Sequence, residues 1–504
     1  ALVYYNQSKN QYNSIFGSNH PKYVEALGMS ARMYYILGLE KNAIAASEEV
    51  VNKSLEYIHL IFPSLSEQGK ARYWVKVKEH FEFYNTLAFT LNNTYPDMIG
   101  KVFDINLQTK AILLNASLKI KQNILKSGDS TLITTFEEWS NKKESLITAV
   151  ALSQEQRKEE GVNLVNLEDD IEKLEKYLGS KSVGFSSLTA AENSYEWQDL
   201  VDVLDEDDEV IEVIAFRVYK KGFTDSIWYA YLEVNSDTRN NPRFQLNKKG
   251  NHLHTSSIKS YQNGLIYNVP ENNSYTDFWE PIGKLISKSG KVYISSDGVY
   301  NKLNLESIRT PKNDFVIDNY HIVSIGTSRD LLEKKSEKGK KNQVENTAFF
   351  MGNPKFYLPT YDGPKLWGEL EGTENEVDKL SGYLASEGWN TSVFKKGNAT
   401  EESIKNVQSP KVVHIATHGF FVEKTTETVI NNIISKTASN PLLRSGLLFK
   451  NGGEIYDNSE VYEFNKEDGI LTAYEAMNLN LENTKLVVLS ACETGLGEIE
   501  LGEG

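Results

Sequence analysis

Two short apolar runs constrain this chain more than any other feature: Val412-Val413-His414-Ile415-Ala416 and Leu486-Val487-Val488-Leu489-Ser490. A strand with one wet face alternates apolar and polar residues. An unbroken apolar run belongs instead to a sheet covered on both faces, which means a mostly parallel α/β sheet. Each run leads into reactive residues, the first into Thr417-His418-Gly419 and the second into Ala491-Cys492-Glu493-Thr494-Gly495. Functional groups in an open parallel sheet collect just past the C-terminal ends of its strands, so neighbouring runs bring His418 and Cys492 together.

A thiol needs a nearby base to become a thiolate at neutral pH, and imidazole is the usual one. His418 is therefore the candidate base and Cys492 the candidate nucleophile, with the backbone N–H groups of Gly419 and Cys492 as a candidate oxyanion hole. Cys492 is also compatible with a buried hydrophobe, but it sits on a glycine-flanked turn outside the apolar run, which favours reactivity. Glu493 is a candidate acidic determinant for a basic substrate side chain, although a solvated turn carboxylate is the preferred reading. His414 and His418 have the spacing of a helical zinc motif, but four residues along a strand is about 13 Å, too far to chelate one ion. No metal is expected, and His414 reads as a packed core residue. Gly495-Leu496-Gly497 lacks the Gly-Lys-Ser/Thr of a phosphate loop, so no nucleotide or other cofactor is expected.

Composition narrows the setting. The chain has 504 residues, enough for about three domains. It carries 54 Lys+Arg against 69 Asp+Glu, a net charge of −15, which disfavours direct nucleic-acid binding. A single cysteine excludes internal disulfides and multi-cysteine metal sites and suits a reducing cytoplasm. No apolar stretch approaches the length of a membrane span, and no signal peptide is visible. With no initiator Met and an abrupt end at Leu501-Gly502-Glu503-Gly504, the chain reads as a piece of a longer protein.

Along the chain the periodicity changes twice. In residues 1–58, Val24, Leu27, Ala31 and Tyr34 fall on one helical face. After the break at Gly38, Ile44, Ser47, Val51, Leu55 and Ile58 fall on another, with Ala43, Ala45 and Ala46 permitting close approach. Helix, short turn and helix resemble a tetratricopeptide repeat, with part of another before it, in an array cut at its N-terminus that offers a concave surface to a partner. Residues 59–180 remain helical, with a long helical hairpin carrying a seam at Leu164, Leu167, Ile171, Leu174 and Leu178. A linker is expected at 180–187. Residues 188–333 then alternate β-rich runs and helix, including a helix over 275–287, and the acidic run Asp205 to Glu209 reads as a solvated turn. A lysine-rich linker at 334–345 leads to a second α/β half, 346–504.

These strings together resemble the CHAT domain, a caspase-like (clan CD) cysteine peptidase module found with tetratricopeptide repeats in bacteria. The resemblance rests on Gly372-Thr373-Glu374-x-Glu376-Val377, His414-Ile415-Ala416-Thr417-His418-Gly419, Asn440-Pro441-Leu442-Leu443, Gly469-Ile470-Leu471-Thr472-Ala473 and Leu489-Ser490-Ala491-Cys492-Glu493-Thr494-Gly495. Upstream, Trp279-Glu280-Pro281 and Tyr293-Ile294-Ser295-x-Asp297-Gly298 match its first half, so residues 270–504 or so are covered. It implies a cysteine endopeptidase with His418 as general base and Cys492 as nucleophile. The α/β half before the lysine linker would be a non-catalytic, protease-like companion. The family continues beyond the point where this chain stops, so the resemblance implies an incomplete sheet and substrate pocket. The implied partners are a protein substrate and a regulatory protein or ribonucleoprotein held by the repeats. The competing reading is a non-proteolytic scaffold whose C-terminal domain is only a platform.

Overall fold

The computed structural model describes residues 1–113, 120–121, 123–124, 127–151, 157–158, 161–181, 195–267, 269, 273–337, 345–421, 445–457 and 468–491. The chain is helical at its N-terminal end and mixed helix and sheet thereafter. It divides into two compact units, one gathering 1–133 with 175–340, the other 134–174 with 341–498.

The first unit begins with helices α1 (Leu2–Phe16), α2 (Pro21–Ile36), α3 (Glu40–Ile61), α4 (Glu67–Leu91) and α5 (Met98–Thr109). His20 caps α2 by accepting the Lys22 N–H, and Pro21 supplies a φ suited to a first turn. Gly38, at φ +73°, turns the chain into α3. The predicted faces point inward: Val24, Leu27, Ala31, Ser47, Val51, Leu55 and Ile58 are all buried. Ala43 and Ala46 are buried too, whereas Ala45 is exposed, so only two of the three small residues serve the close approach. In the helical hairpin, Ile171 and Leu178 of the seam are buried, and the helix Leu164–Lys181 runs past the expected start of the linker. Residues 182–194 lie outside the described residues.

Strands β1 (Glu209–Tyr219), β2 (Phe223–Asn235), β3 (Arg243–Asn247), β4 (Lys291–Ser295) and β5 (His321–Ile325) form a mixed sheet ordered β3-β2-β1-β4-β5. The β1–β2 and β2–β3 pairs are antiparallel, and β1–β4 and β4–β5 are parallel. Alternation along β1 explains its continuous apolar run. Val210, Ile214 and Phe216 pack into the helical layer, while Ile211, Val213 and Ala215 pack against Phe278, Trp279 and Tyr300. Each such large side chain, once buried, contributes about 1.5–3 kcal/mol. The helical layer also meets the β1–β2 hairpin through polar bonds. Glu82 of α4 accepts from Arg217 at 2.6 Å, and Thr86 accepts the Tyr219 N–H at 3.2 Å.

Three expectations change here. The acidic run is not a solvated turn throughout: Asp208 is 5% and Glu209 0% exposed. Asp208 accepts the Lys291 N–H, and Glu209 accepts the N–H groups of Ser287 and Lys288, so both carboxylates tie down the chain entering β4. The helix expected over 275–287 is present but irregular and shorter: a π-helix, Tyr275–Trp279, runs directly into a short α-helix that ends at Gly283. The helix Arg329–Glu337 occupies the first positions given to the lysine linker, and 338–344 lie outside the described residues.

In the second unit, β6 (Thr347–Pro354), β7 (Asn390–Lys396), β8 (Val412–Ala416), β9 (Gly419–Phe421), β10 (Ser445–Leu448), β11 (Ile470–Thr472) and β12 (Leu486–Ser490) form two sheets. The first, ordered β12-β8-β6-β7, is wholly parallel; the second, β11-β10-β9, is antiparallel. Val413 and Ile415 of β8 pack with Phe349 and Met351 of β6 on one face. On the other, Ala416 packs with Ala348, Phe350 and Val377, the last on the helix Glu371–Ser386. The expectation of double cover holds for β8 but not for β12, where Leu486, Val487 and Leu489 are 52%, 45% and 44% exposed. The reason is position: β12 is the edge strand, paired only with β8 among the described residues.

Candidate functional site

Because β6, β8 and β12 run parallel, their C-terminal ends share one edge of the sheet. The β8–β12 register pairs Ala416 with Ser490. His418 follows Ala416, and Cys492 follows Ser490, by the same number of residues. Cys492 and Glu493 themselves lie outside the described residues; the chain is followed as far as Ala491.

His418 is half-buried, and its placement is built from the loop after β6. Its Nε2 lies 2.8 Å from the carbonyl oxygen of Gly368. A carbonyl oxygen only accepts, so Nε2 carries the proton, and in the neutral ring the lone pair is on Nδ1. The ring packs on Phe356 and Trp367, with centroids 4.9 and 5.2 Å away. Trp367 is itself braced edge-on by Tyr456, and its backbone N–H donates to the Tyr357 hydroxyl at 3.0 Å. Hydrogen bond and aromatic contacts together leave the imidazole little freedom to turn.

Gly419 opens β9, opposite Leu447 of β10. The Leu448 N–H donates to the His418 carbonyl at 2.9 Å, which makes His418 and Leu448 a hydrogen-bonded pair. The alternation of an antiparallel ladder then leaves the Gly419 N–H aimed away from β10. Thr417 closes the corner by donating its hydroxyl to the Leu448 carbonyl.

His414 is 4% exposed, as a core residue should be, but it is more than packing. Its Nε2 lies 2.9 Å from Glu376 Oε1, and Ser490 of β12 donates to the other oxygen of the same carboxylate at 3.4 Å. Glu376 thus ties β8, β12 and the helix Glu371–Ser386 together. The two histidines turn their Nε2 atoms to different partners. Among the described residues no group of three or more His, Cys, Asp or Glu is arranged to hold a metal ion.

At the head of β11, Asp468 accepts the Ile470 N–H at 2.8 Å, and burial, with the nearby Glu475 carboxylate, raises its pKa to about 7. Lys405 bridges Glu401 at 2.6 Å and Glu475 at 3.2 Å beside it.

The corresponding edge of the first sheet is closed. Lys110, just past α5, reaches the middle of β1 and bonds Glu212 and Ser295 at 2.6 Å each. Ser328 donates to the second Glu212 oxygen, and all four side chains are buried. The Ser296-Asp297-Gly298 turn after β4 is structural as well. Asp297 accepts the N–H groups of Ala215 and Gly298, and Gly298, at φ +58°, passes so close to the Tyr229 hydroxyl that a Cβ would collide with it.

Residues 272–504, a little under half of the chain, match the family model of the CHAT domain. The CHAT domain is a caspase-like fold family related to cysteine proteases. No curated protein matches the chain. The CHAT match takes in β4, β5 and the whole second unit beyond 341, but not β1, β2 or β3, which complete the first sheet upstream. Among the described residues no helix is long and apolar enough to cross a membrane.

Sequence reasoning missed Gly368, Phe356, Trp367 and Glu376 as neighbours of the two histidines. Only Glu376 left a trace, inside the string Gly372-Thr373-Glu374-x-Glu376. The others sit in an aperiodic loop that pattern alone does not place.

Proposed function

We propose that the CHAT-matched half is a caspase-like cysteine endopeptidase with His418 as general base and Cys492 as nucleophile. The single observation that carries this reading is the parallel pairing of β8 with β12, which sends the chain toward both residues from adjacent strand ends. Nδ1 of His418 takes the Cys492 proton, and the thiolate attacks the scissile carbonyl carbon. The N–H groups of Gly419 and Cys492 hold the oxyanion. The imidazolium returns the proton to the leaving amine, and water, deprotonated by the same ring, hydrolyses the thioester. No cofactor enters. Glu493 is proposed as a substrate contact for a basic side chain.

The N-terminal helices are proposed as tetratricopeptide-type repeats that receive a regulatory protein or ribonucleoprotein partner in the cytoplasm. Contact between the helices and the first sheet, at Glu82–Arg217 and Lys110–Glu212, supports a route by which such a partner shifts the population of active protein. The deciding experiment compares new protein N-termini in cells expressing wild type or Cys492→Ala. Termini present only with the wild type are expected. Identical sets in both would overturn the peptidase reading and leave the scaffold.

A further inference from the structure

We infer that Asn353 is a positioning residue for His418, setting the proton and orientation of its ring through the loop that ends at Leu370. The role deepens the peptidase reading and rests on His418 being the base of that centre. Asn353 lies at the end of β6, 2% exposed and at φ +46°, a left-handed conformation that asparagine tolerates better than most residues. Every polar group of its side chain is engaged. Oδ1 accepts the Leu370 N–H at 2.9 Å, and Nδ2 donates to Glu374 at 3.1 Å. Glu374 is held in turn by Lys396 at 3.2 Å, and the Asn353 amide, followed by that ammonium, keeps its carboxyl below the usual range.

The backbone of Asn353 completes the clamp. Its N–H donates to Thr373 Oγ1 at 2.9 Å, and that hydroxyl donates to the Leu370 carbonyl at 2.7 Å. Both polar backbone groups of Leu370 are therefore fixed to Asn353, directly or through one hydroxyl. Gly368, whose carbonyl accepts the hydrogen bond from His418 Nε2–H, lies just before Leu370 on the same loop. The exposed Lys355–Glu369 ion pair at 3.4 Å adds little to that anchoring. With the clamp removed the carbonyl drifts, Nε2 loses its acceptor, and the neutral ring populates the tautomer whose lone pair faces the wrong way. A misplacement of about 1 Å costs on the order of a hundredfold in rate.

The test uses the full chain and two readings: the ¹⁵N spectrum of the His418 imidazole, assigned by its loss in His418→Gln, and the alkylation rate of Cys492 at neutral pH. Asn353→Gly keeps the backbone conformation and the backbone bond to Thr373, and removes the side-chain bonds to Leu370 and Glu374. The Nε2–H share of His418 is expected to fall and alkylation to slow roughly ten- to hundredfold. Asn353→Asp combined with Glu374→Gln restores an acceptor for Leu370 and a donor between the two side chains, and should recover most of both readings. Val377→Ala, which loosens the same helix without removing a bond to the loop, should leave the spectrum at its wild-type position. An Asn353→Gly protein with a wild-type spectrum and rate overturns the inference, as does an equal shift in Val377→Ala. If wild-type Cys492 reacts no faster than a model thiol, the peptidase reading falls instead, and the His418 spectrum alone decides the role of Asn353.

Discussion

The carbonyl oxygen of Gly368 lies 2.8 Å from Nε2 of His418, so a backbone group decides which nitrogen of that ring is free. A backbone carbonyl only accepts, so it pairs with the Nε2–H and not with a lone pair. In the proposed mechanism, Nδ1 is the nitrogen that takes the Cys492 proton. On that proposal, the Gly368 carbonyl takes the place of an acidic residue in orienting the ring. Glu376, whose carboxylate meets β8 and β12, serves His414 instead.

The Glu376–His414 bond is a stability element. Glu376→Ala leaves a buried imidazole nitrogen without its acceptor, at a cost of about 1–3 kcal/mol. Glu376→Gln, which keeps an acceptor, should recover most of that loss. Urea denaturation of the three proteins measures it.

The Lys110–Glu212 pair closes the edge of the first sheet. Lys110→Met strands a buried carboxylate and should destabilise the protein by about 3–5 kcal/mol. Adding Glu212→Gln, which keeps acceptors and donors for Ser295 and Ser328 while removing the charge, should return a large part of it. The midpoint of chemical denaturation separates these outcomes. Equal midpoints for the single and double variants would show that charge is not the source of the loss.

Asp468 gives a pH signature of definite sign. Its folded pKa is raised from 3.8 to about 7, chiefly by burial, so the folded state holds a proton that the unfolded state has already released. The stability this confers is fully present below the unfolded value and is lost as pH rises through the folded one. Asp468→Asn keeps an acceptor for the Ile470 N–H and cannot ionise. Its stability relative to the wild type should therefore rise between about pH 4 and pH 7, as read from melting temperatures at matched ionic strength.

Much of the scaffold was legible because it is periodic. The apolar faces around Leu27 and Val51 and the strand containing Val413 and Ile415 follow from period alone. So does the arrival of His418 past a buried strand. What periodicity cannot read is which strand lies at an edge, hence the exposed Leu486 and Leu489. Nor does it show which carboxylates meet a chain turn, hence the buried Asp208 and Glu209. The aperiodic loop after β6 was silent for the same reason. Gly368 acts there through its backbone carbonyl, and Asn353, at the end of β6, through its side-chain amide; neither residue type announces its role.

Activation of Cys492 by His418 is directly measurable, because the chain has a single cysteine. The alkylation rate of Cys492 by iodoacetamide at pH 7 should fall at least about tenfold in His418→Ala relative to wild type. Equal rates in the two proteins, with both folded, would contradict it.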